Sequence, residues 1–382
     1  LIISFSTFAV GFIARPLGGI VFGHFGDRVG RKRTLVVALM MMGVATTLIG
    51  LLPTYDSIGL AAPLCLVLLR FIQGLAVGGQ WGGAMLLVTE SAPADKRGWY
   101  GAYAQAGAPM GVILANLAFI SVSASMSDEA FLAWGWRLPF IASILLIAIS
   151  LYIQLRMEDT EAFKALQAEQ AASPQHAVAQ RSPVFEAMRR YPRRILLAAG
   201  AFLSVQVTFY ILIAFVIAYG LNSPTVDLTR DELLVSVLVA AAIMMPAQFY
   251  FSGLSDRVGR KQIYRWGAIL TGIWGFAIFP LVDTGMPIMI TLAVTMGMVL
   301  LGMQYGPQAA YFTELFATEV RYSGASLGYQ IGAILGGALA PTIAVLLWQE
   351  LGIIYVSVYI LVAALLTLWC LSQLEETGGK AL

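Results

Sequence analysis

Eleven long apolar segments constrain the fold of this chain more than any other feature of its sequence. Each is close to the roughly 20 residues that a helix needs to cross the hydrocarbon core of a bilayer. Short polar turns separate them, and they lie near residues 3–23, 34–53, 62–89, 99–122, 131–155, 193–220, 233–254, 264–282, 286–313, 322–347 and 352–373. Lipid cannot hydrogen-bond to an open backbone, so a membrane-spanning segment is either a helix or part of a closed barrel. Segments of this length predict an all-α membrane protein.

The composition excludes most other classes of protein. Of the 382 residues, 59% are hydrophobic and 12% are charged, whereas soluble domains contain about 25% charged residues. The basic residues lie in short turns, so the net charge of +2 does not indicate a nucleic-acid partner. Cys65 and Cys370 both lie inside apolar segments and show no metal-ligand spacing. We therefore expect neither an enzyme nor a metal or other cofactor.

A short charged turn occurs twice. The motif Asp-Arg-Val-Gly-Arg-Lys occupies residues 27–32 and recurs unchanged at residues 256–261. A glutamate and an arginine seven positions later also recur, as Glu90 with Arg97 and as Glu314 with Arg321. These repeats predict a duplicated structure. Its parts are an N-terminal bundle (1–155), a linker (156–192), a C-terminal bundle (193–373) and a tail (374–382).

The two halves differ in what precedes the repeated turn. From Arg193 to Asp256 there are 63 positions, enough for a whole spanning segment, but only 26 residues precede Asp27. We therefore expect one further helix in front of residue 1, which would complete two six-helix bundles. Counting Lys and Arg in alternate turns places nineteen of the 23 on the side of residues 24–33, so this side is predicted to be cytoplasmic. The same alternation places the C-terminus in the cytoplasm.

Several stretches resemble the major facilitator superfamily. The two charged turns are similar to its signature loops, and residues 70–74 (Arg-Phe-Ile-Gln-Gly) are similar to a further motif. Other stretches resemble the metabolite:proton symporters within it, a group with shikimate, α-ketoglutarate, citrate and proline/betaine carriers, and the shikimate-type branch most of all. These stretches are residues 14–19, 78–83, 134–137 and 319–325.

The resemblance implies a major facilitator fold and a secondary active transporter in the inner membrane. It would import a small polar metabolite with protons by alternating access, and the usual state would be a monomer. An organic acid such as shikimate or a di- or tricarboxylate is the favoured substrate. Three alternatives are a carrier of a zwitterionic osmolyte (proline or betaine), an exporter or antiporter, and a membrane sensor that transports nothing.

The charged residues around the repeated turns are candidates for a cytoplasmic gate. Arg31 and Arg97 are expected to reach Glu90, and the corresponding charges of the second half are expected to gather around Glu314. The competing interpretation is that these charges only orient the loops. The candidate residues are Asp27, Arg28, Arg31, Glu90, Arg97, Asp256, Arg257, Arg260, Glu314 and Arg321.

Polar residues within the apolar segments are candidates for a substrate site. Two of them are arginines, Arg15 and Arg70, and a charge inside the membrane is costly unless it is paired or hydrated. The spacing of Gln206 and Tyr210, and that of Gln304 and Gln308, places each pair on one helix face. A structural role, as a bond between helices, is the alternative for every member. The set is Arg15, Arg70, Gln73, Gln80, Tyr103, Gln105, Gln206, Tyr210, Gln304, Gln308, Tyr329 and Gln330.

Gln80 also marks a departure from the group. The resemblance implies a glutamate at this position, and a glutamine cannot titrate. If that glutamate carries the coupling proton, its replacement by Gln80 puts proton coupling at this position in question.

Overall fold

The computed structural model describes residues 2–172 and 182–378. Part of the predicted linker (173–181) and the end of the predicted tail (379–382) therefore lie outside the described residues. The regular structure of the described ranges is helical throughout, in agreement with the predicted class. The long helices and the two helices of the linker are α1 (Ile2–Arg28), α2 (Arg31–Leu51), α3 (Ala61–Ser91), α4 (Ala94–Ala124), α5 (Asp128–Arg156), α6 (Glu161–Ala172), α7 (Pro183–Arg190), α8 (Pro192–Asn222), α9 (Arg230–Val258), α10 (Arg260–Asp283), α11 (Pro287–Glu314), α12 (Thr318–Glu350) and α13 (Ile354–Gln373).

Ten helices in the described part of the chain are long and apolar enough to cross a membrane: α2 to α5 and α8 to α13. The 27-residue helix α1 precedes them. Each of these eleven helices matches one of the predicted segments. Several contain a short irregular stretch, including π-turns at Ile211–Phe215 in α8 and at Ala333–Ala338 in α12. Such π-turns are rare in helices and are frequently found at functional sites.

Two glycines create the sharp turns between consecutive helices in the repeated motif. Gly30 separates α1 from α2 with φ +126°, and Gly259 separates α9 from α10 with φ +114°. This region of backbone conformation favours glycine because a Cβ atom makes it sterically costly. The carboxylates of Asp159 and Glu376 also lie where a Cβ would be placed, at 2.1 and 2.9 Å. The repeated glycine is therefore required by both backbone conformation and space.

Helix contacts repeat the pattern of the sequence. In the first half α3 packs against α1 and α2, and α2 packs against α5. In the second half α11 packs against α9 and α10, and α10 packs against α13. The halves meet through two equivalent contacts, α1 with α12 and α9 with α4. The duplication inferred from residues 27–32 and 256–261 thus extends to the packing of whole helices.

Small residues bring α1 and α3 into close contact. A Cβ at Gly74 would lie 2.1 Å from the Gly11 carbonyl oxygen, and one at Gly78 would lie 2.2 Å from that of Arg15. In a bilayer, where apolar side chains gain little by leaving lipid, close backbone approach of this kind is a main source of helix association. The glycines of α3 therefore hold the segment of α1 around Arg15 against the middle of the bundle.

Candidate functional site

The two repeated aspartates each bind the start of a helix in the opposite half. Asp27 accepts hydrogen bonds from the backbone N–H groups of Tyr322 (3.2 Å) and Ser323 (3.0 Å) and from the Ser323 hydroxyl (2.7 Å). Asp256 accepts hydrogen bonds from the N–H groups of Gly98 (2.8 Å) and Trp99 (2.9 Å). A carboxylate is stabilised there by the free N–H groups and by the positive end of the helix dipole. We call the end of the bundle where these contacts lie the charged face.

Around Glu90 lies a group that we call the first cluster: Asp27, Arg31, Glu90 and Arg321. Arg31 contacts Asp27 at 3.1 Å and Glu90 at 3.5 Å. Arg321, from the second half, contacts the same glutamate at 3.1 Å. Arg31 also donates a hydrogen bond to the carbonyl oxygen of Thr318 (2.9 Å), again in the second half. Both arginines therefore join the two halves.

Around Glu314 lies the second cluster: Asp256, Arg260, Glu314 and Arg97. Arg260 binds both carboxylate oxygens of Glu314, at 2.8 and 3.0 Å, and binds Asp256 at 2.7 Å. Arg97, from the first half, approaches Glu314 at 3.8 Å. The second cluster repeats the composition of the first, but its shortest ion pairs lie within one half.

The side chains of both clusters are removed from water. Arg31 and Arg260 are 0% and 1% exposed, and Asp27 is 6% exposed. Burial of a charge costs several kcal/mol, and breaking a buried pair by removal of one partner typically costs about 3–5 kcal/mol. The halves also touch closely here, because a Cβ at Gly26 would lie 2.2 Å from the Tyr322 ring. The bundle is therefore closed at the charged face.

Near the middle of the helices, Arg15 of α1 contacts the second half. Its Nε donates a hydrogen bond to the Gln330 side chain (2.9 Å), and its guanidinium lies 4.8 Å from the centre of the Phe12 ring and 5.6 Å from that of Tyr329. Cation–π contacts of this kind stabilise a desolvated arginine. Among the ion pairs of the described residues, none involves Arg15.

Aromatic and amide side chains complete this central contact. The ring of Trp81 stacks on that of Tyr329, with centroids 4.3 Å apart and planes 5° from parallel. Trp81 also donates a hydrogen bond to Gln105 (3.2 Å), whose own amide donates to the backbone carbonyl of Tyr305 (2.9 Å). The first half is thereby joined to the second by stacking and by neutral hydrogen bonds.

A cavity of about 90 Å³ lies beside this contact. Its polar lining is provided by Gln206, Tyr210, Tyr305 and Tyr329, and Arg15 contacts two of these residues, Tyr210 and Tyr329. The lining residues are Ala108, Val205, Gln206, Phe209, Tyr210, Met244, Leu301, Tyr305 and Tyr329. The Gln206 side chain takes part in none of the side-chain hydrogen bonds found among the described residues, and it is 5% exposed. A small polar molecule would find amide and hydroxyl groups here and a cation close by.

A family model described as Major Facilitator Superfamily matches residues 2–327. The chain belongs to the major facilitator superfamily. It is 41% identical over 387 residues to the inner membrane metabolite transport protein YhjE of Escherichia coli, a match that covers 99% of this chain and 85% of the relative. A shikimate transporter of the same species is 40% identical over 342 residues, with 89% and 76% covered. A proline/betaine transporter of that species is 30% identical over 388 residues, with 100% and 76% covered.

A solved structure supports the fold. The proton:xylose symporter XylE bound to 6-bromo-6-deoxy-D-glucose superposes with a TM-score of 0.78, at 17% identity, over 98% of this chain and 86% of that one. The predictions of a major facilitator fold, of a multi-pass inner-membrane protein and of a metabolite transporter that is not an enzyme are thus confirmed.

Most of the predicted gate residues come together at the charged face of this superfamily member. Arg28 and Arg257 are exceptions, since both are exposed. Two pairings were wrong: Arg97 was expected beside Glu90 and Arg321 beside Glu314, but Arg97 pairs with Glu314 and Arg321 pairs with Glu90. The sequence spacing placed most of these residues on one face, but each of these two arginines pairs with the glutamate of the other half.

The predicted substrate residues divide into three groups. Gln206, Tyr210 and Tyr329 line the cavity, and Arg15, Gln105 and Gln330 contact its walls or the central stack. Four amides bind within their own half instead: Gln73 to Thr46, Gln80 to the Ala38 carbonyl, Gln304 to Thr271 and Gln308 to Tyr264.

Arg70 and Tyr103 form the third group and are exposed, Tyr103 to 58% beside the Phe249 ring. The described residues offer Arg70 no hydrogen bond or ion pair. For these two residues the structure does not support a place in the cavity.

Sequence reasoning missed Trp81 and Tyr305 as site residues. Each lies nine positions before the glutamate that closes its helix, Glu90 or Glu314, so the repeat itself was a signal that could have found them. It also missed Asp159 and Glu376, whose carboxylates accept hydrogen bonds from the first N–H groups of α2 and α10. Both follow the last spanning helix of their half, which again is a repeated position.

Proposed function

We propose that this metabolite transporter imports a small organic acid together with protons by alternating access, and that the charged face is its cytoplasmic gate. The observation that carries the proposal is that each half supplies a carboxylate that binds the start of a helix in the other half. Asp27 binds α12 where its α-helical part begins after a 3-10 turn, and Asp256 binds α4 at the equivalent point. These bonds can exist only while the two halves are together at this face, so they stabilise one closed state. Opening toward the cytoplasm would break both at once.

The cytoplasmic assignment rests on charge. The turns at this face are rich in Lys and Arg, and loops of that kind remain on the cytoplasmic side of membrane proteins. In this assignment the structure corresponds to a state with the inner gate closed, which is the state that would accept substrate from outside. The C-terminus then lies in the cytoplasm as well.

An organic acid is favoured by the cation at the centre. Arg15 is buried and contacts the Gln330 amide, the Tyr210 hydroxyl and two aromatic rings, and none of the ion pairs among the described residues involves it. A planar guanidinium binds a carboxylate through two parallel hydrogen bonds, which are stronger than its contact with a neutral amide. The tyrosine hydroxyls and the Gln206 amide beside it suit hydroxyl groups on the same substrate.

A zwitterionic osmolyte is the second candidate, because the cavity is also rich in aromatic rings. Tyr210, Tyr305, Tyr329 and Phe209 line it. Aromatic faces bind quaternary ammonium groups, and Arg15 would bind the carboxylate of the same molecule. Because a proline/betaine transporter is similar to this chain, proline and betaine are the osmolytes to test. A competition experiment separates the two, since betaine and shikimate share a carboxylate but differ in charge.

Proton coupling is tested most directly at Gln80. Its amide nitrogen donates a hydrogen bond to the Ala38 carbonyl (3.3 Å), which joins α3 to α2. A glutamate at this position could donate the same bond only when protonated, because a carboxylate has no hydrogen to donate. Gln80→Glu would therefore make the α2–α3 contact depend on the proton, whereas the native amide holds it at every pH.

The test is uptake of labelled shikimate, α-ketoglutarate, citrate and betaine into proteoliposomes, with and without an inward proton gradient. Native protein and the Gln80→Glu variant are compared. Accumulation driven by the gradient in both would support proton symport with a coupling group elsewhere than position 80. Accumulation only in the variant would mean that the native chain is an uncoupled carrier. Absence of uptake of every acid, with uptake of betaine, would replace the organic-acid proposal by the osmolyte.

A further inference from the structure

The two clusters differ in how they use their central glutamate. In the second cluster Arg260 occupies both carboxylate oxygens of Glu314. In the first cluster one oxygen, Oε1, receives both Arg31 and Arg321. The other oxygen, Oε2, accepts a hydrogen bond of 2.5 Å from the hydroxyl of Thr160, which lies in the linker. The linker hydroxyl thus takes the place that a second nitrogen of the arginine takes in the other half.

This substitution frees Arg31 for other contacts. Because it is not bound to Glu90 through two nitrogens, Arg31 donates to the Gly26 carbonyl (2.8 Å) and to the Thr318 carbonyl of the opposite half (2.9 Å). Arg260 makes no comparable bond across the seam among the hydrogen bonds of the described chain. The contact from the other direction is also shorter in the first cluster, where Arg321 lies 3.1 Å from Glu90 while Arg97 lies 3.8 Å from Glu314.

Several contacts hold the linker segment that supplies Thr160, residues 158–166, against the first half. Asp159 accepts hydrogen bonds from the N–H groups of Arg31 (3.2 Å) and Lys32 (3.4 Å), and Phe163 is 3% exposed with the Arg31 guanidinium 4.9 Å above its ring. At the outer edge Lys164 binds Glu158 at 2.6 Å and Glu161 at 2.9 Å. That ammonium lowers the pKa of the exposed Glu158 carboxyl below its usual range.

The second half contains the corresponding segment without the corresponding bond. Glu376 binds the start of α10 as Asp159 binds the start of α2, and the residue after each is a threonine. Thr377 is buried, but its hydroxyl has no hydrogen-bond partner among the described residues. The chain therefore offers a matched pair of threonines, one bonded to a gate glutamate and one not.

We infer that Thr160 is a positioning residue of the gate. Thr160 binds the second oxygen of Glu90, which leaves Arg31 and Arg321 to make contacts between the two halves. The first cluster therefore joins the halves more strongly than the second cluster does. The linker thus sets the stability of the closed inner gate. This inference rests on the proposed gating role of the charged face.

The experiment measures the gate directly by the distance between spin labels at Val29→Cys and Val258→Cys. These are exposed residues in the two repeated turns, one in each half. The background has Cys65 and Cys370 replaced by Ser and Ala, and the full-length protein is used in nanodiscs. Thr160→Val keeps the shape of the side chain and removes the hydroxyl. The hydrogen bond that is lost is charge-assisted, so we expect the ratio of open to closed gate to rise about tenfold or more.

Three comparisons make the result specific. Thr377→Val should leave the distance distribution unchanged, and Thr160→Ser should restore that of the native protein. Thr160 also accepts a hydrogen bond from the Phe163 N–H at the start of α6 (3.3 Å), so local fraying of α6 must be separated from an effect through Glu90. In a Glu90→Gln background the effect of Thr160→Val should largely vanish, since interacting residues are not additive.

An equal effect of Thr160→Val and Thr377→Val, or a full effect in the Glu90→Gln background, would overturn the inference. So would an unchanged distance distribution in Thr160→Val. The distances are measured without substrate, so absence of uptake of every tested acid, together with the expected response of the labels, would contradict the proposed substrate class alone. Labels that do not separate in any state of the native protein would contradict the gate itself.

Discussion

The charged face and the middle of the bundle join the same two halves by different chemistry. At the charged face four carboxylates and four arginines are buried in two clusters, and each cluster crosses the seam. In the middle the halves meet through one arginine, a Trp81–Tyr329 stack and neutral amides. The clusters repeat with the duplication, whereas the position of α9 that corresponds to Arg15, 229 residues later, is Met244.

The difference indicates different tasks. Buried ion pairs stabilise only in good geometry, and they become costly as soon as one partner is lost. A contact of that kind favours two discrete states, closed or hydrated and open. Aromatic and neutral amide contacts contribute only about 0.5–1.5 kcal/mol each, so their rearrangement costs less than the separation of a buried ion pair. The contacts in the middle of the bundle can therefore adjust to a bound molecule, while the charged face changes between a closed and an open state.

The largest expected effect is that of Arg31→Met at the charged face. Arg31 is fully buried, and its removal leaves Asp27 and Glu90 without their shared cation. Breaking buried pairs in this way costs about 3–5 kcal/mol, so the closed state should lose most of its population and uptake should fall tenfold or more. Initial rates in proteoliposomes give the measurement. The exposed neighbour Arg33→Met serves as the control, and native rates in Arg31→Met would show that the cluster is not a gate.

Asp27→Asn should have the second largest effect. The oxygen of an amide can accept at most two of the three hydrogen bonds at the start of α12, its NH₂ group then faces a donor, and the charge is lost. With bonds to a charged group at about 1.5–3 kcal/mol each, we expect uptake to drop about tenfold while the amount of inserted protein stays the same. Asp256→Asn tests the equivalent contact, and the exposed Asp95→Asn provides the matched control. Unchanged turnover in both would favour a purely topological role for these charges.

The outcome of the sequence interpretation follows the same division. Membrane helices are predictable because length and apolarity are local properties, and all eleven predicted segments proved helical. The charged residues were identified because a charge beside an apolar segment can lie only at a membrane face. The partners of Arg97 and Arg321 were not predictable, since spacing along one half cannot reveal that the glutamate of the other half is nearer.

The middle was harder to predict for a related reason. Helical spacing tells which residues share a face, but not which helix that face meets. Gln80 and Gln304 lie at equivalent positions of the two halves, and both bind a neighbour within their own half, the Ala38 carbonyl and Thr271. Gln330, a glutamine of a different helix (α12), accepts a hydrogen bond from Arg15 across the seam. Only the three-dimensional structure shows which glutamines bond within one half and which bond between the halves.

Arg15→Gln tests the middle and should leave the charged face intact. The variant removes the cation but can still bond to Gln330, so the bundle should persist. If Arg15 binds the substrate carboxylate, loss of a charge-assisted pair should raise KM about ten- to thirtyfold with little change in the distance between labels at the charged face. Arg70→Gln is the comparison, because Arg70 is exposed and should change KM much less. Equal changes in the two variants would remove Arg15 from the substrate site.

The smallest effects come from a pair of aromatic substitutions, one in each region. Trp81→Phe loses the hydrogen bond to Gln105 and part of the stack on Tyr329, and Tyr322→Phe loses the hydroxyl that donates to the Gly79 carbonyl (2.5 Å). Each change removes about 1 kcal/mol, so we expect effects of about fivefold. If the two regions have separate tasks, Trp81→Phe should alter KM with a normal gate distance. Tyr322→Phe should shift the gate distance with a normal KM, and the opposite assignment would show that binding and closure share one set of contacts.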